Sequence, residues 1–110
     1  MRLLVKQSLF AGMAARQISH VQDHGYLCSF GECMRTPDAA ALNAKQGDGI
    51  ANSLHIIKLA LDLNIFHQDG TPLDEVEWLA LGEFWEALGG AWGGRFGDRW
   101  HFSLEHEGVK

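Results

Sequence analysis

The chain has 110 residues, of which 46% are hydrophobic and 21% charged. This size and composition predict one globular domain over residues 1–110 and exclude a disordered or fibrous protein. The net charge of −5 and the scattered Lys and Arg residues argue against nucleic-acid binding, because phosphate recognition needs concentrated positive charge. No apolar stretch reaches the length of a membrane-spanning helix, so we expect no stable membrane insertion.

The first predicted element is an amphipathic helix over residues 3–23, followed by Gly25 as a stop signal. Residues 1–24 belong either to the core or to an oligomerisation helix, and we expect a monomer or a weak oligomer. Arg2 and Lys6 resemble the start of a signal peptide, but no clean apolar core follows them. We therefore predict no Sec signal and synthesis in a cytoplasm.

A short strand is predicted over residues 26–35, and it contains Cys28 and Cys33. Two reduced thiols are the favoured interpretation in a cytoplasmic protein, with a disulfide or a second metal clasp as the alternatives. Thr36-Pro37-Asp38 is typical of a helix start, with Thr as the cap and Pro in the first turn. A helix is therefore predicted through residue 45.

The second half of the chain predicts two further strands around one helix. In chain order these are a central strand over 58–66, a turn at 68–70, a helix over 71–88 that ends at Gly89-Gly90, a loose glycine-rich backbone at 93–97, and a strand over 100–104. Trp78, Leu81, Trp85 and Leu88 share one face of the helix. Helices and strands thus alternate within one small domain, which predicts an α+β fold.

Two histidines and two carboxylates are the candidates for chemistry. Asp62 lies inside an apolar run, where a buried carboxylate costs several kcal/mol unless it is paired or binds a metal. The alternative is that Asp62 lies on the wet face of a half-exposed strand. Asp98 precedes His101 by three residues, and from a turn it could act as a general base without binding the metal. Alternatively, Asp98 is a turn aspartate beside a structural histidine.

A catalytic zinc ion takes three protein ligands and keeps one open position for water. His55, Asp62 and His101 would supply such a set. His20 and His24, four residues apart on the first helix, are a weaker pair because the Glu that usually follows the first histidine of a zinc helix is replaced by Val21.

These residues resemble a known signature. Ser53-x-His55-x6-Asp62, followed by Asp98-x-x-His101, is similar to the pattern S-x-H-x-x-G-x-A-x-D and then Asp or Glu-x-x-His. That pattern belongs to the zinc D-alanyl-D-alanine peptidases, which include vancomycin-resistance D,D-carboxypeptidases and phage L-alanyl-D-glutamate endolysins. The stretches GECMRTPDAA, ANSLHIIKLALDLNIF and LGEFWEALGGAWGGRFGDRWHF look like a compact phage or prophage branch.

The resemblance covers roughly residues 26–106 as a catalytic core. It implies a Hedgehog/D,D-peptidase-like fold, with a small, mostly antiparallel sheet and flanking helices. It also implies one Zn²⁺ per chain, with ligands at His55, Asp62 and His101.

The same resemblance assigns the remaining site positions. It makes Asp98 the catalytic acidic residue, and it places Arg35 and Ser53 where the family binds or polarises substrate. One departure is Lys58, where the family usually has glycine, and this puts the fit of the substrate in doubt more than metal binding.

The function implied is a zinc metallopeptidase that hydrolyses peptidoglycan stem peptides. An L-alanyl-D-glutamate endopeptidase of a phage or prophage, an endolysin, is the first choice. A D-alanyl-D-alanine carboxypeptidase is the alternative, and a catalytically degenerate zinc-binding wall or phage structural module is the non-enzymatic one. The expected site of action is the cell wall or periplasm, after synthesis in the host cytoplasm and export by a holin-type route.

Overall fold

Residues 2–33 and 53–110 are described by a computed structural model. These ranges form two α-helices and a four-stranded antiparallel sheet, which confirms the predicted α+β fold. The elements are α1 (Leu3–Asp23), β1 (Leu27–Phe30), β2 (Ala60–Phe66), α2 (Glu75–Ala87), β3 (Ala91–Trp92), a 3-10 helix (Gly93–Phe96) and β4 (His101–Ser103). Neither helix in the described ranges is long and apolar enough to cross a bilayer.

The sheet has the order β1-β2-β4-β3, so β2 and β4 are its central strands. Side chains of β2 alternate, and Leu61, Leu63 and Ile65 are buried in the core. Both helices contribute to this core, with Phe10, Met13 and Val21 from α1 and Trp78, Leu81 and Trp85 from α2. The indole N–H of Trp85 donates to the carbonyl oxygens of Ser103 (2.9 Å) and Ala91 (3.1 Å), which fixes α2 to the β3–β4 pair.

Helix α1 is part of this core and is not a detached oligomerisation helix. The rings of Phe10 and Trp85 meet edge to face, with centroids 5.7 Å apart. Gln17 is fully buried, and its side-chain amide donates to the carbonyl oxygen of Leu81 at 3.1 Å. A polar residue therefore lies within the apolar face of α1 because it binds the backbone of α2.

Several predicted boundaries were wrong in detail, among them the start of the central strand, which begins at Ala60 and not at residue 58. Helix α2 starts at Glu75 and not at residue 71, because Asp74 and Glu77 form a capping box and Pro72 bridges to Phe66 beside β2. The first strand ends at Phe30, and the last strand is limited to His101–Ser103. The predicted helix over 36–45 lies outside the described residues.

The glycine-rich segment after α2 is ordered, contrary to the prediction of a loose backbone. It forms β3 and the 3-10 helix. A Cβ atom on Gly93 would overlap the carbonyl oxygen of Asp98, and one on Gly82 would overlap the ring of Trp92. Glycine is therefore needed at these two positions because neighbouring atoms pack closely against the backbone. Conformational freedom, the other common reason for a glycine, is not the reason here.

The turn before β2 delivers His55 and ends in an unusual backbone conformation. Leu59 N–H donates to the carbonyl oxygen of Leu54 at 2.9 Å and closes the turn. Lys58, where the resembled family usually has glycine, has a φ of 59°. This left-handed conformation costs a non-glycine residue about 1–2 kcal/mol, whereas glycine adopts it readily.

We predict that Lys58→Gly raises the free energy of unfolding by about 1 kcal/mol, because relief of strain exceeds the extra chain entropy of glycine. Urea denaturation measures the change. Lys6→Gly, within α1, is the control and should lower stability. A loss of stability in Lys58→Gly would contradict the argument from the backbone.

Candidate metal centre

Two neighbouring strands bring a carboxylate and an imidazole together. β2 and β4 pair in the register that places Asp62 opposite His101. Side chains at directly opposed positions of an antiparallel pair lie on the same face of the sheet. His55 comes from the turn before β2, and both histidines are buried. The structure therefore brings His55, Asp62 and His101 into one cluster.

The distances within this cluster fit a tetrahedral metal ion. Oδ1 of Asp62 lies 3.4 Å from Nε2 of His55 and 3.3 Å from Nδ1 of His101. Zinc–ligand bonds of about 2.0–2.1 Å in tetrahedral geometry separate two ligand atoms by about 3.3 Å. One ligand atom from each residue lies within 4.8 Å of the other two. The donor set, two imidazoles and one carboxylate, is also one that zinc prefers.

The hydrogen bonding of the cluster is incomplete. Asp62 Oδ1 is buried without a hydrogen-bond partner, although the two imidazoles are near, so neither contact has the directionality of a hydrogen bond. His101 Nε2 and His55 Nδ1 are also buried without such a partner. Buried polar atoms are rarely left unsatisfied, and a cation between these three side chains would satisfy Asp62. The residues present therefore fit a zinc ion.

The charge state of Asp62 suits a metal ligand. Burial alone would raise the pKa of this carboxyl, but His101 and His55 outweigh burial and lower the pKa to about 2. The group is therefore ionised at any pH near neutrality. A carboxylate in this state can bind a cation without first releasing a proton.

Residues that follow β1 support Asp62 from its other side. Gly31 N–H donates to the carbonyl oxygen of Asp62, and Asp62 N–H donates to that of Glu32, both at 2.8 Å. A Cβ atom on Gly31 would lie 3.0 Å from Cβ of Asp62, so a side chain at this position would crowd the centre. The close passage of this segment also brings a second carboxylate, that of Glu32, to the cluster.

Glu32 is a residue that the sequence did not single out. Its Oε1 lies 3.7 Å from Nδ1 of His55, the ring nitrogen that faces away from Asp62. This distance is longer than a hydrogen bond, so the carboxylate acts on the imidazole through its charge, and outer carboxylates of this kind help to orient metal-binding histidines. The sequence could have pointed to Glu32 only through its position just after a predicted strand. Its approach to His55 depends on strand pairing between segments that are distant in sequence.

The other predicted site residues have separate positions. Asp98 is exposed in the turn before β4, where its N–H donates to Gly93 (2.8 Å) and its carbonyl oxygen accepts from His101 N–H (3.1 Å). Its carboxylate is not one of the three clustered groups. Ser53 is buried, and its Oγ accepts from the N–H of His55 at 3.2 Å. Arg35 lies outside the described residues.

The remaining candidate groups do not join this centre. His20 stacks on Phe84 with centroids 3.6 Å apart, and His24 Nδ1 lies 2.9 Å from the carbonyl oxygen of His20. Cys28 and Cys33 are free thiols, and burial raises the pKa of Cys28. Among the described residues, only His55, Asp62 and His101 form a group with the arrangement of a metal site.

A comparison with protein families identifies the context of this centre. A family model described as D-alanyl-D-alanine carboxypeptidase matches residues 46–104. The chain belongs to this family. The matched region contains all three clustered residues and Asp98, and it leaves out α1 and Arg35. Among curated proteins, none matches the chain. Membership makes the chain a peptidase at the level of the family.

We predict that Asp62→Asn removes stoichiometric zinc binding, because the substitution deletes the charged donor. Zinc should raise the melting temperature of the wild type but not of the variant, since an ion that binds only the folded state stabilises it by about 2.7 kcal/mol at 100 times its Kd. Asn64→Ala, on the same face of β2, is the matched control and should respond like the wild type. Stoichiometric zinc in Asp62→Asn would show that the metal binds elsewhere.

A second prediction concerns Glu32. Glu32→Ala should weaken zinc binding about 10- to 100-fold by removing the group that orients His55. Glu32→Gln should weaken it less, because the amide keeps a polar oxygen near the His55 ring although the negative charge is lost. Competition with a chelator of known affinity measures the change, and Glu83→Ala, an exposed position on α2, is the control. Equal affinities for all four proteins would remove Glu32 from the site.

Proposed function

We propose that this chain is a zinc-dependent peptidase that hydrolyses peptidoglycan stem peptides, and that it is a phage or prophage L-alanyl-D-glutamate endopeptidase. The observation that carries the proposal is the cluster of His55, Asp62 and His101 inside the region that matches a peptidase family. Its geometry suits one zinc ion, and the family description supplies the substrate class.

A zinc ion held by three protein ligands keeps one of its four tetrahedral positions for water or substrate. His55, Asp62 and His101 would hold the ion, and zinc bound there would supply Lewis-acid chemistry for the scissile carbonyl and a water of lowered pKa, towards about 7. His55 and His101 are held in buried positions, and Asp62 carries the negative charge of the set. The protein thus contributes a fixed, partly desolvated set of donors.

We assign the proton transfers to Asp98. Its exposed position in the turn that leads into His101 leaves the carboxylate accessible to a water molecule and to the leaving amine. The carboxylate accepts the proton of the attacking water and then donates it to the amine nitrogen as the peptide bond breaks.

Two further residues are proposed to act on the substrate. The hydroxyl of Ser53 accepts from the backbone N–H of His55, and its own O–H remains available as a donor near the metal ligands. Arg35 is assigned by resemblance, and its guanidinium suits a peptide carboxylate or the oxyanion that forms during attack.

The proposed endopeptidase and the alternative carboxypeptidase differ in the peptide bond that they cleave. The description of the matching family favours a D-alanyl-D-alanine carboxypeptidase. The resemblance of the sequence to a compact phage branch supports the L-alanyl-D-glutamate endopeptidase. A degenerate zinc-binding module is less well supported, because a binding module has no need of an acidic residue at the Asp98-x-x-His101 position of the family pattern.

We propose that the enzyme acts at the cell wall or in the periplasm. Peptidoglycan lies outside the cytoplasmic membrane, so an enzyme made in the host cytoplasm has to reach the wall or periplasm. A holin-type route would provide this access, and the stem peptide would be the principal partner. The protein is proposed to work as a monomer or weak oligomer.

Digestion of purified Gram-negative peptidoglycan, with and without a chelator, tests the proposal. Mass analysis should show new N-terminal D-glutamate that disappears with chelator and returns with zinc. Released D-alanine would support the carboxypeptidase. No cleavage by a folded, zinc-loaded protein would reject a peptidase acting on this substrate.

We predict that Asp98→Asn keeps zinc bound but lowers the rate of hydrolysis about 10²- to 10⁴-fold, because the proton acceptor is lost. Asp98→Glu should retain much more activity, since it preserves the carboxylate. Zinc content and the rate of wall digestion are measured on the same samples. Loss of zinc in Asp98→Asn would make Asp98 a ligand or a structural residue.

A further inference from the structure

Phe96, the last residue of the 3-10 helix, places an exposed aromatic ring beside the candidate metal centre. Its ring is in edge contact with the imidazole of His101, with centroids 6.1 Å apart and an interplanar angle of 62°. Phe96 is 53% exposed, whereas His101 is 7% exposed. Single exposed apolar residues are common on protein surfaces, so the contact with His101, and not the exposure alone, distinguishes Phe96.

The contact with His101 puts the Phe96 ring at the metal side of the sheet. His101 faces the same side as Asp62, opposite to the side on which the helices pack. Arg95, the residue before Phe96, turns towards α2 and pairs with Glu86, with Nε–Oε2 and Nη2–Oε1 distances of 3.0 and 2.8 Å. Neighbouring residues of the 3-10 helix therefore point to different sides, one towards α2 and one towards the metal centre.

The backbone of the 3-10 helix holds the Phe96 ring in this position. Asp98 N–H donates to the carbonyl oxygen of Gly93 at 2.8 Å, and the N–H of Gly97, which has a φ of 90°, donates to the same oxygen. A Cβ atom on Gly93 would lie 2.7 Å from Cβ of His101, so the helix packs directly against this residue. The turn thus contacts His101 at both ends, through the backbone at Gly93 and through the ring of Phe96.

Both peptide bonds considered above carry the same small apolar group next to the bond that is cut. In L-alanyl-D-glutamate and in D-alanyl-D-alanine, the residue that supplies the scissile carbonyl is alanine. Its methyl group is attached to the carbon beside that carbonyl, so it stays close to the three proposed ligands when the carbonyl is there. A methyl group gains free energy by leaving water only where it meets an apolar surface, and the Phe96 ring is such a surface.

We propose that Phe96 is a substrate-contact residue that packs against the alanine methyl group on the carbonyl side of the cleaved bond. This inference rests on the proposed peptidase function. It makes Phe96 a determinant of specificity, which favours alanine over glycine at this position. Phe96 takes no part in the proton transfers assigned to Asp98.

Binding of two hydroxamates to the zinc-loaded protein tests this contact without requiring catalysis. Acetohydroxamic acid and propionohydroxamic acid share the metal-binding group and differ by one methylene unit. The terminal methyl group of the propionyl compound takes the position of the alanine side chain. We expect this compound to bind the wild type about fourfold more tightly, which is the effect of burying one such unit. Isothermal titration calorimetry measures both dissociation constants.

Variants of Phe96 separate substrate contact from a structural role. Phe96→Ala should bind the two hydroxamates equally, because the apolar surface is lost, whereas Phe96→Leu should keep most of the preference. Zinc affinity, measured by competition with a chelator, should stay the same in both variants, since Phe96 is not a ligand. Val76→Ala, which shortens an exposed side chain of α2 on the helix side of the sheet, is the control. A purely structural role would weaken zinc binding and affect both hydroxamates by the same factor.

Rates of hydrolysis extend the test to the substrate. For the wild type, kcat/KM should be higher for a stem peptide with alanine before the cleaved bond than for its glycine analogue, and Phe96→Ala should remove the difference. Two results would overturn the contact: no preference between the hydroxamates in the wild type, including no binding of either, or an unchanged preference in Phe96→Ala. Wall digestion by the same protein would then leave the peptidase proposal intact. A preference that depends on Phe96, without any wall digestion, would retain the contact and reject the peptidase proposal.

Discussion

The register between β2 and β4 is the constraint on which both the core and the candidate metal centre depend. Leu61 pairs with Phe102, and both side chains are buried on the core side. The next pair along, Asp62 with His101, faces the other way. A slip of one residue would exchange the two faces and place Asp62 in the core. The apolar pattern that secures the fold therefore also secures the site.

The charges around Asp62 offset the cost of partly burying its carboxylate, and they also favour the binding of a cation. A half-buried carboxylate is costly without a partner, and Asp62 Oδ1 has two imidazoles at 3.3 and 3.4 Å but no properly directed hydrogen bond. The three groups are spaced as ligands around a shared centre. The structure thus keeps a strongly acidic carboxylate beside two buried imidazoles, which is a favourable environment for a divalent cation and a poor one for apolar packing.

Much of the fold and of the candidate metal centre could be predicted from the sequence, and the predictions that failed did so for physical reasons. The apolar run around Asp62 and the spacing of Asp98 and His101 identified the candidate residues, and helix periodicity identified the buried face of α2. Long-range contacts were less accessible. Glu32 reaches His55 only through strand pairing, and the glycines after α2 are determined by backbone and side-chain atoms that pack against them. Lys58 adopts its left-handed conformation because it lies in a tight turn. The only sign of this turn in the sequence was that the family pattern usually has glycine at this position.

The most direct measurement of the central claim is zinc K-edge X-ray absorption on the purified, zinc-loaded protein. The zinc ion should show a first shell of nitrogen and oxygen at about 2.0–2.1 Å, with the outer-shell scattering of two imidazoles and no sulfur. That spectrum should change in Asp62→Asn. A shell containing sulfur at about 2.3 Å would place the metal on Cys28 or Cys33 and contradict the His55, Asp62 and His101 centre.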